Sequence, residues 1–294
     1  MLSIVIPVYN FNIVDLVHQL NDQLSTLNVN YEIICRDDYS TDPTVTSFNS
    51  NISKLPNCFY FENSTNLGRT QTRELLANQA TFEWLLFLDA DVIPANTTFI
   101  TTYLQAISNE AEVIFGGYNY IKPHLDSATM LRWKYGIERE SISAHLRNKR
   151  PYSYIFSGNL LIKKATFSSI EFPNESWYGM DIYFAYYLFQ KQAKILHIDN
   201  PIYHLGLEEN EVFFNKSLEA VKSRLLYLKN EPEIEEINGL IKKWKILKKW
   251  KIKGIIGLLF KATAPLLRKT IVSKNPNLLL FDIYRLGYSC TLKD

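Results

Sequence analysis

The sequence has few cysteines, with three among 294 residues. Cys35, Cys58 and Cys290 lie far apart, and no two of them form a CxxC pair. An odd and widely spaced set argues against a disulfide framework and against a clustered zinc site. The fold is therefore expected to rest on a hydrophobic core, which a chain of this length can bury.

Glycine is missing from the first turn of the chain. The opening run, MLSIVIPVYN, has no charged leader and is interrupted at Pro7, which is typical of a first strand and not of a secretion signal. No glycine follows in VIPVYNFN. Sugar nucleotidyltransferases and dinucleotide-dependent dehydrogenases need a glycine-rich phosphate loop at this point, so the sequence argues against both classes.

Long hydrophobic runs are also missing. No stretch reaches the roughly 18 continuous apolar residues that a membrane-spanning helix needs. Together with the lack of a secretion signal, this absence predicts a cytoplasmic protein.

Acidic residues are missing from one part of the chain, residues 237–281. Residues 237–294 carry 13 of the 32 Lys and Arg but only 2 of the 30 Asp and Glu. The net charge of +2 therefore divides into −9 for residues 1–236 and +11 for residues 237–294. We predict an acidic body and a basic extension with these bounds. An acidic body argues against nucleic acid as a partner, because phosphate recognition needs a positive surface.

The basic extension contains IKKWKILKKWKIKGIIGLLFK, residues 241–261. At helical spacing this stretch predicts one basic amphipathic helix. Its apolar face comprises Leu240, Trp244, Leu247, Ile255 and Leu258, and its basic face Lys242, Lys245, Lys249 and Lys253. Tryptophans among lysines that lack local acids favour an anionic membrane surface as the partner. Packing against the acidic body is the alternative.

Apolar strand patterns alternate with helical patterns along the first third of the chain. Strands are predicted at 2–8, 31–35, 58–61 and 84–88, and helices at 13–27 and 66–80. This alternation predicts an α/β fold with parallel βαβ units. Further on, residues 127–149 are predicted to form one long helix.

Two acids follow the predicted strand at 84–88, in LLFLDADVIP. In an extended backbone Asp89 and Asp91 would point to the same side, with Ala90 turned away. Paired carboxylates of this kind hold divalent cations, and a solvated turn is the alternative. In open parallel sheets ligands bind at the carboxyl ends of strands, where these acids fall.

Seven motifs in order resemble the family 2 inverting glycosyltransferases. They are SIVIPVYN, RDDYSTD, NLGRTQTR, FLDAD, FSGNLLIKK, WYGMD and NPIYHLG, and they cover about residues 2–210. The resemblance implies a GT-A type fold, which is a mostly parallel, Rossmann-like sheet flanked by helices, here followed by the basic helical extension.

The resemblance also implies a site for a nucleotide sugar. Pro7, Tyr9 and Asp38 match positions that hold the nucleoside, Tyr9 by stacking and Asp38 by accepting an imide N–H. Arg73 matches an arginine near the nucleotide, and as a planar cation it can meet a base or a phosphate. Three alternatives stay open: a packed core aromatic for Tyr9, a helix cap for Asp37 and a surface ion pair for Arg73.

Asp89 and Asp91 match the DxD motif of the family. The resemblance implies that Asp91 binds a divalent cation, Mn²⁺ or Mg²⁺, directly and that Asp89 reaches the ribose, or the metal through water. His204 matches a third metal ligand found in many family members, and a structural histidine is the alternative.

Asp181 matches the catalytic base, the carboxylate that takes the proton of the acceptor hydroxyl, and the N-cap of a helix is its second possible role. Trp177 suits stacking on a sugar of the acceptor, or burial in the core. Met180 is also assigned to the acceptor site, where the family commonly has Glu. Tyr39 replaces the usual small residue in the turn after the second strand.

The sequence thus predicts an inverting, metal-dependent transferase of a hexose or N-acetylhexosamine. The expected donor is a nucleotide sugar, with UDP as the nucleotide, and the expected acceptor is a glycan or a lipid-linked glycan of surface polysaccharide synthesis. The basic extension places the enzyme peripherally on the inner face of the cell membrane. The two departures, Met180 and Tyr39, motivate an alternative, a non-catalytic homologue that binds a glycan or a partner.

Overall fold

The computed structural model describes residues 1–107, 110–124, 128–173 and 178–293. The chain divides into two compact units, each built from several segments. The first unit comprises Met1–Asn119, Ile142–Ser176 and Leu188–Gly206, and the second Tyr120–Ser141, Trp177–Tyr187 and Leu207–Asp294. The second unit contains the whole basic extension, and a functional boundary at residue 236 stays a prediction.

Within the described residues the chain forms ten strands. They are β1 (Leu2–Val8), β2 (Tyr31–Asp37), β3 (Cys58–Glu62), β4 (Trp84–Leu88), β5 (Val92–Pro94), β6 (Val113–Phe115), β7 (Tyr118–Tyr120), β8 (Asn159–Lys163), β9 (Ile195–His197) and β10 (Ile202–His204). The larger sheet has the order β3-β2-β1-β4-β8-β6-β9, and a smaller sheet has the order β5-β10-β7. In the larger sheet β8 runs antiparallel to both of its neighbours, while β3, β2, β1 and β4 are parallel.

The described residues also form thirteen α-helices. They are α1 (Val14–Ser25), α2 (Pro43–Ser50), α3 (Arg69–Gln79), α4 (Phe99–Ala106), α5 (Met130–Tyr135), α6 (Ala144–Arg147), α7 (Lys164–Ser168), α8 (Asp181–Gln190), α9 (Asn210–Leu228), α10 (Ile234–Ile237), α11 (Gly239–Lys249), α12 (Lys253–Ile271) and α13 (Leu278–Thr291). Helices follow β1, β2, β3 and β5, so the predicted α/β fold with a mostly parallel, helix-flanked sheet is confirmed.

The core of the first unit lies around β1 and β4. Every residue of β4 is buried, and β1 is buried at all positions except Pro7. Strands covered on both faces read as continuous apolar runs, which is how VIPV and LLFL read in the sequence. Helix α1 adds Leu16, Val17 and Leu20 to the buried set, each contributing about 1.5 to 3 kcal/mol relative to exposure.

The prediction of one long helix at 127–149 is wrong. Helix α5 ends at Tyr135, a single π-helical turn follows over Gly136–Glu140, and the short α6 begins only at Ala144. Gly136, the first residue of this turn, packs against the ring of Tyr120, and a Cβ at this position would lie 2.6 Å from that ring.

The prediction of one continuous helix over residues 241–261 is also wrong. Helix α11 ends at Lys249, Lys251 adopts a left-handed φ of 61°, and α12 begins at Lys253. The two halves of the predicted apolar face then differ in burial. Trp244 of α11 is 3% exposed, whereas Leu258 of α12 is 71% exposed.

The second unit has its own aromatic core, to which the C-terminal helices contribute. The core side chains come from α5, α9, α12 and α13 and include Phe213, Phe214, Phe260, Ile271, Phe281 and Tyr284. Gly287 allows α13 to approach α12, because a Cβ there would lie 2.4 Å from the ring of Phe260. Among the helices that the structure describes, none is both long and apolar enough to cross a membrane.

Candidate functional site

Three neighbouring strands of the larger sheet end at one edge, which we call the carboxyl edge. β1 pairs in parallel with β2 and with β4, and Val8 at the end of β1 lies opposite Asp37 at the end of β2. Tyr9, Asp38 and Asp89 each come directly after one of these strands. These three residues therefore share one edge of the larger sheet, and the expectation that Asp89 lies at the carboxyl end of a strand is confirmed.

Tyr9 and Tyr39 present their side chains to solvent near this edge. Tyr9 is 50% exposed, so the alternative of a packed core aromatic is wrong. Tyr39 is 54% exposed and has a φ of 66°, a left-handed conformation that a glycine adopts without strain. Asn10 ties the two loops together, since its Oδ1 accepts hydrogen bonds from the backbone N–H groups of Thr41 and Asp42. Pro7 lies within β1 and is half-buried.

Asp38 is buried and organises the loop that precedes α3. Its carboxylate accepts hydrogen bonds from the backbone N–H groups of Leu67 and Gly68, both at 2.8 Å, and from Nδ2 of Asn63 at 2.9 Å. A carboxylate offers about four acceptor positions, so its capacity is nearly used by the chain itself. The contacts that Asp38 makes position the start of α3. A hydrogen bond from a nucleotide base to Asp38 stays a prediction.

Asp37 is part of a turn and does not cap a helix. Its Oδ1 accepts from the backbone N–H of Ser40 at 2.6 Å, and its Oδ2 accepts from the hydroxyl of Tyr60 at 2.8 Å. The cap of α2 is Asp42, whose side chain accepts from the N–H of Thr44. The helix-cap alternative for Asp37 is therefore wrong.

Asp89 forms ion pairs with two arginines of α3. Nη2 of the buried Arg73 contacts Oδ1, and Nη2 of the more exposed Arg69 lies 3.2 Å from both carboxylate oxygens. Arg73 is buried, so its ion pair with Asp89 is not the surface ion pair that was considered as the alternative. Burial alone would raise the pKa of Asp89, but the charges of Arg69 and Arg73 outweigh burial and lower it. Asp89 is therefore a fixed anion at neutral pH.

Asp91 lies in a turn and faces His204. The extended backbone expected through both acids ends at Leu88, because Ala90 and Asp91 form the turn into β5. β5 pairs with β10, which places Val92 opposite His204, and the N–H of Leu205 donates to the carbonyl of Asp91 at 2.8 Å. As a result Nε2 of His204 lies 3.6 Å from Oδ2 of Asp91. The two acids thus have different partners.

Two glycines allow the chain to approach these carboxylates closely. A Cβ on Gly158 would lie 2.2 Å from Oδ2 of Asp89, and one on Gly206 would lie 1.9 Å from Oδ2 of Asp91. Sequence reasoning assigned no role to either glycine, nor to Arg69. The signal was present, since Gly158 and Gly206 stand inside the motifs FSGNLLIKK and NPIYHLG, and glycine beside a strand often marks close backbone approach.

The donor atoms at this edge fit a divalent cation held by two protein ligands. Among the described residues no group of three or more His, Cys, Asp and Glu converges on one point. Asp91 and His204 offer one carboxylate and one imidazole, both of which are common ligands of divalent cations. Gly206 leaves space beside Asp91 where a side chain would collide with the carboxylate. Oxygens of a substrate and water would complete the coordination of such an ion.

Met180 and Asp181 belong to the second unit. Asp181 is the first residue of α8, and the preceding Gly179 has a φ of 90°. A Cβ on Gly179 would lie 2.7 Å from Cβ of Ala220, and Oγ of Ser223 donates to the carbonyl of Tyr178 at 2.9 Å. The segment before α8 is thus anchored on α9. Trp177 lies outside the described residues.

The family model for Glycosyl transferase family 2 matches residues 3–166. The chain is 32% identical over 119 residues to a poly(ribitol-phosphate) beta-glucosyltransferase from Bacillus spizizenii. That match covers 39% of this chain and only 18% of the relative, so the chain spans a small part of that protein's length.

Solved structures share the fold. A mannosyltransferase from Pyrobaculum calidifontis, solved with GDP-Man and Mn²⁺, has a TM-score of 0.56 at 13% identity, over 82% of this chain and 68% of that one. Residues 1–349 of S. aureus TarS, solved with UDP-GlcNAc, have a TM-score of 0.51 at 19% identity, over 97% of this chain and 89% of that one. A longer TarS chain, of which 39% is covered, has a TM-score of 0.50 at 20% identity over 76% of this chain. At these identities the likeness shows a GT-A fold.

Proposed function

The chain belongs to glycosyl transferase family 2 and is a glycosyltransferase; on that basis we propose that it is an inverting, metal-dependent enzyme. It transfers a hexose or N-acetylhexosamine from a nucleotide sugar, with UDP as the favoured nucleotide. The acceptor is a glycan or lipid-linked glycan of surface polysaccharide synthesis.

The proposal rests on one observation: the two acids that follow β4 have different partners. Asp89 is held by Arg69 and Arg73, whereas Asp91 faces His204 at 3.6 Å. Asp91 and His204 would hold a divalent cation, which when bound neutralises charge on the departing nucleoside diphosphate. Asp89 is fixed by its arginines where it can accept a hydrogen bond from the ribose, and the exposed ring of Tyr9 is available for stacking on the base.

We assign the proton transfer to Asp181. An inverting reaction needs one carboxylate that takes the proton of the acceptor hydroxyl as its oxygen attacks the anomeric carbon. Asp181 stands at the start of α8, on a segment anchored to α9 through Gly179 and Ser223. Such anchoring is what a positioned base requires.

The names of the similar proteins define which substrates to try first. TarS was solved with UDP-GlcNAc and the mannosyltransferase with GDP-Man, so UDP and GDP sugars both belong in a donor panel. The curated relative is named for poly(ribitol-phosphate), so a polyol-phosphate polymer belongs in the acceptor panel beside neutral glycans.

We also propose that the enzyme binds the inner face of the cell membrane through α12. One side of this helix packs in the core of the second unit, and the other side exposes Ile255, Leu258, Leu259 and Leu266, each at 58 to 71%. The exposed lysines Lys261 and Lys269 lie on the same helix, and no acid occurs from residue 237 to residue 281. An apolar stripe flanked by unopposed cations matches an anionic lipid surface.

The decisive experiment incubates purified protein with Mn²⁺ and a panel of UDP and GDP sugars, and measures nucleotide release with and without acceptors. Turnover of one donor that is lost in Asp91→Asn supports the proposal. The alternative, a non-catalytic homologue, predicts glycan or nucleotide binding with no turnover of any donor.

A further inference from the structure

Tyr39, in the loop after β2, combines a strained backbone with an exposed side chain. Its φ of 66° is left-handed, a conformation that is unfavourable for a bulky residue and that glycine adopts freely. More than half of its side chain is exposed, so burial of the ring offers little to offset the strain. A residue kept in such a conformation points to a function of its side chain.

The other left-handed residues of the chain show how unusual a tyrosine is at such a position. The described residues other than glycine that have a left-handed φ are Asn10, Tyr39, Asn57, Gln192, Glu233 and Lys251. Asparagine tolerates this conformation better than most residues. The remaining three have unbranched, flexible side chains. Tyr39 is the one aromatic residue in this described set.

The loop itself imposes the conformation at position 39. The N–H of Asp38 donates to the carbonyl of Val8 at 2.8 Å, which fixes the residue before Tyr39. The N–H of Ser40 donates to Oδ1 of Asp37 at 2.6 Å, which fixes the residue after it. A glycine between these two fixed residues would avoid the strain, so the tyrosine is not there for the sake of the turn.

The same loop brings Tyr39 next to Tyr9. The N–H of Asn10, the residue after Tyr9, donates at 2.7 Å to Oγ of Ser40, the residue after Tyr39. The side chains of Tyr9 and Tyr39 are 50% and 54% exposed. The carboxyl edge therefore presents two accessible aromatic rings on two loops that contact each other.

The order of the strands places Tyr39 within reach of a nucleotide bound at the acids after β4. In the larger sheet β2, β1 and β4 are consecutive, so the loop of Tyr39 lies two strands away from Asp89. Two strand spacings amount to about 10 Å, which is comparable with the extent of a nucleotide from its diphosphate to its base. A nucleotide whose diphosphate lies near Asp89 and Asp91 therefore extends its base towards β1 and β2.

We propose that Tyr39 is a base-stacking residue of the donor site, in addition to Tyr9. This step rests on the proposed function, because its ligand is the nucleotide of the donor. Aromatic rings stack on pyrimidines and purines alike, since every base has a π face. Tyr39 therefore adds affinity for the nucleotide without choosing between UDP and GDP. Stacking on the bound base offsets the strain that the tyrosine carries in the free protein.

Calorimetric titration of UDP into the full-length protein with Mn²⁺ tests the stacking. Tyr39→Ala and Tyr39→Gly should both weaken UDP binding about tenfold, the effect expected when one ring that stacks on a base is removed. Tyr39→Phe should keep the affinity of the wild type because it keeps the ring. Inorganic pyrophosphate has no base and should bind to the wild type and to all variants equally.

Gln192 supplies the matched control. It is an exposed residue with a left-handed φ of 51°, and it precedes β9 at the opposite edge of the larger sheet. At a left-handed position glycine relieves strain that alanine keeps, so Tyr39→Gly should melt above Tyr39→Ala, and Gln192→Gly above Gln192→Ala. Both variants of Gln192 should bind UDP as the wild type does.

Four results would overturn the proposal. The first is equal UDP affinity of Tyr39→Ala and the wild type, which would leave the ring a structural role at most. The second is recovery of affinity in Tyr39→Gly, because the loss in Tyr39→Ala would then come from the backbone. The third is equal weakening of pyrophosphate binding, and the fourth is a wild type that binds neither UDP nor GDP. Bound UDP without turnover of any donor would instead refute the proposed enzyme and leave the stacking role intact.

Discussion

The guanidinium of Arg73 binds the carboxylate of Asp89 in a buried ion pair. The sequence presents Asp89 and Asp91 as equivalent acids, but their partners differ. Asp89 forms ion pairs with arginines, whereas Asp91 faces His204. The ion pair of Arg73 with Asp89 also links α3 to the end of β4, so that the helix start held by Asp38 and the acids of the carboxyl edge form one structure.

Replacing Arg73 should destabilise the protein in a pH-dependent way. Removing one partner of a buried pair leaves a buried charge, so Arg73→Gln is expected to lower the free energy of unfolding by about 3 kcal/mol at pH 7. Because the pKa of Asp89 is lowered in the folded state, its ionised form stabilises the fold above about pH 4 and this stability is lost as the pH falls through the lowered pKa. In the variant that loss should begin at a higher pH.

Urea unfolding between pH 3 and pH 7 measures both effects, and Arg69→Gln is the matched control. Arg69 contacts the same carboxylate but is 59% exposed, so its loss should cost at most about 1 kcal/mol. Equal effects of the two substitutions would contradict the role of burial in this pair.

Gly206→Ala should impair activity without impairing the fold. The added Cβ would collide with Oδ2 of Asp91, the mobile end of a side chain, which can move aside at little cost in stability. The displaced carboxylate would then be a poorer metal ligand. We expect the Mn²⁺ concentration at half-maximal activity to rise at least tenfold with an unchanged melting temperature. Gly254→Ala is the control, because no atom lies within 4 Å of its added Cβ.

Loss of either proposed metal ligand should act through the ion. Asp91→Asn is expected to abolish transfer, and excess EDTA should silence the wild type. His204→Ala should leave some activity but require more metal for half-maximal rate. Full activity in EDTA would refute the metal assignment, and an unchanged metal titration in His204→Ala would leave His204 a structural role beside Asp91.

Much of the first unit was predictable because its signals are local. Buried parallel strands read directly as apolar runs, and the acids that follow β2 and β4 fall at one edge once the strands are parallel. The partners of those acids were not predictable. That Asp89 meets Arg73, and that Asp91 meets His204 across a strand pair, depends on long-range pairing of β5 with β10.

The second unit was less predictable because tertiary packing overrides its helical pattern. The apolar spacing over 241–261 is that of one helix, yet Trp244 is buried and Leu258 is exposed, and the chain reverses its local geometry at Lys251.

Asp181→Asn should separate binding from chemistry. The substitution keeps the shape of the side chain and removes the base, so donor binding should persist while transfer falls by several orders of magnitude. Donor affinity and single-turnover rate are the measurements. A variant that loses donor affinity and keeps its turnover would place the proton acceptor elsewhere.

Met180→Glu restores the residue that the family commonly has before the base. If Met180 contacts the acceptor, the variant should change the ranking of acceptors in the panel and leave the metal requirement intact. Identical acceptor profiles for the variant and the wild type would argue against contact between this side chain and the acceptor.

The exposed side of α12 predicts reversible binding to anionic membranes. Its partly exposed leucines would insert at the headgroup boundary, and each cation near the leaflet would add on the order of 1 kcal/mol. Full-length protein should float with anionic vesicles in a salt-sensitive way and stay in solution with neutral ones.

Point variants test this surface better than truncation at residue 238 would, because truncation would remove Phe260, Ile271 and Phe281 from the core of the second unit. The combined variant Leu258→Glu, Leu259→Glu and Leu266→Glu should abolish flotation and keep the melting temperature, since all three side chains are at least 58% exposed. Leu226→Glu on α9, at the same 58% exposure as Leu259, is the matched control and should still float. If the wild type does not float but sediments as a dimer that the triple variant dissociates, then α12 binds a second copy of the chain and the membrane proposal is wrong.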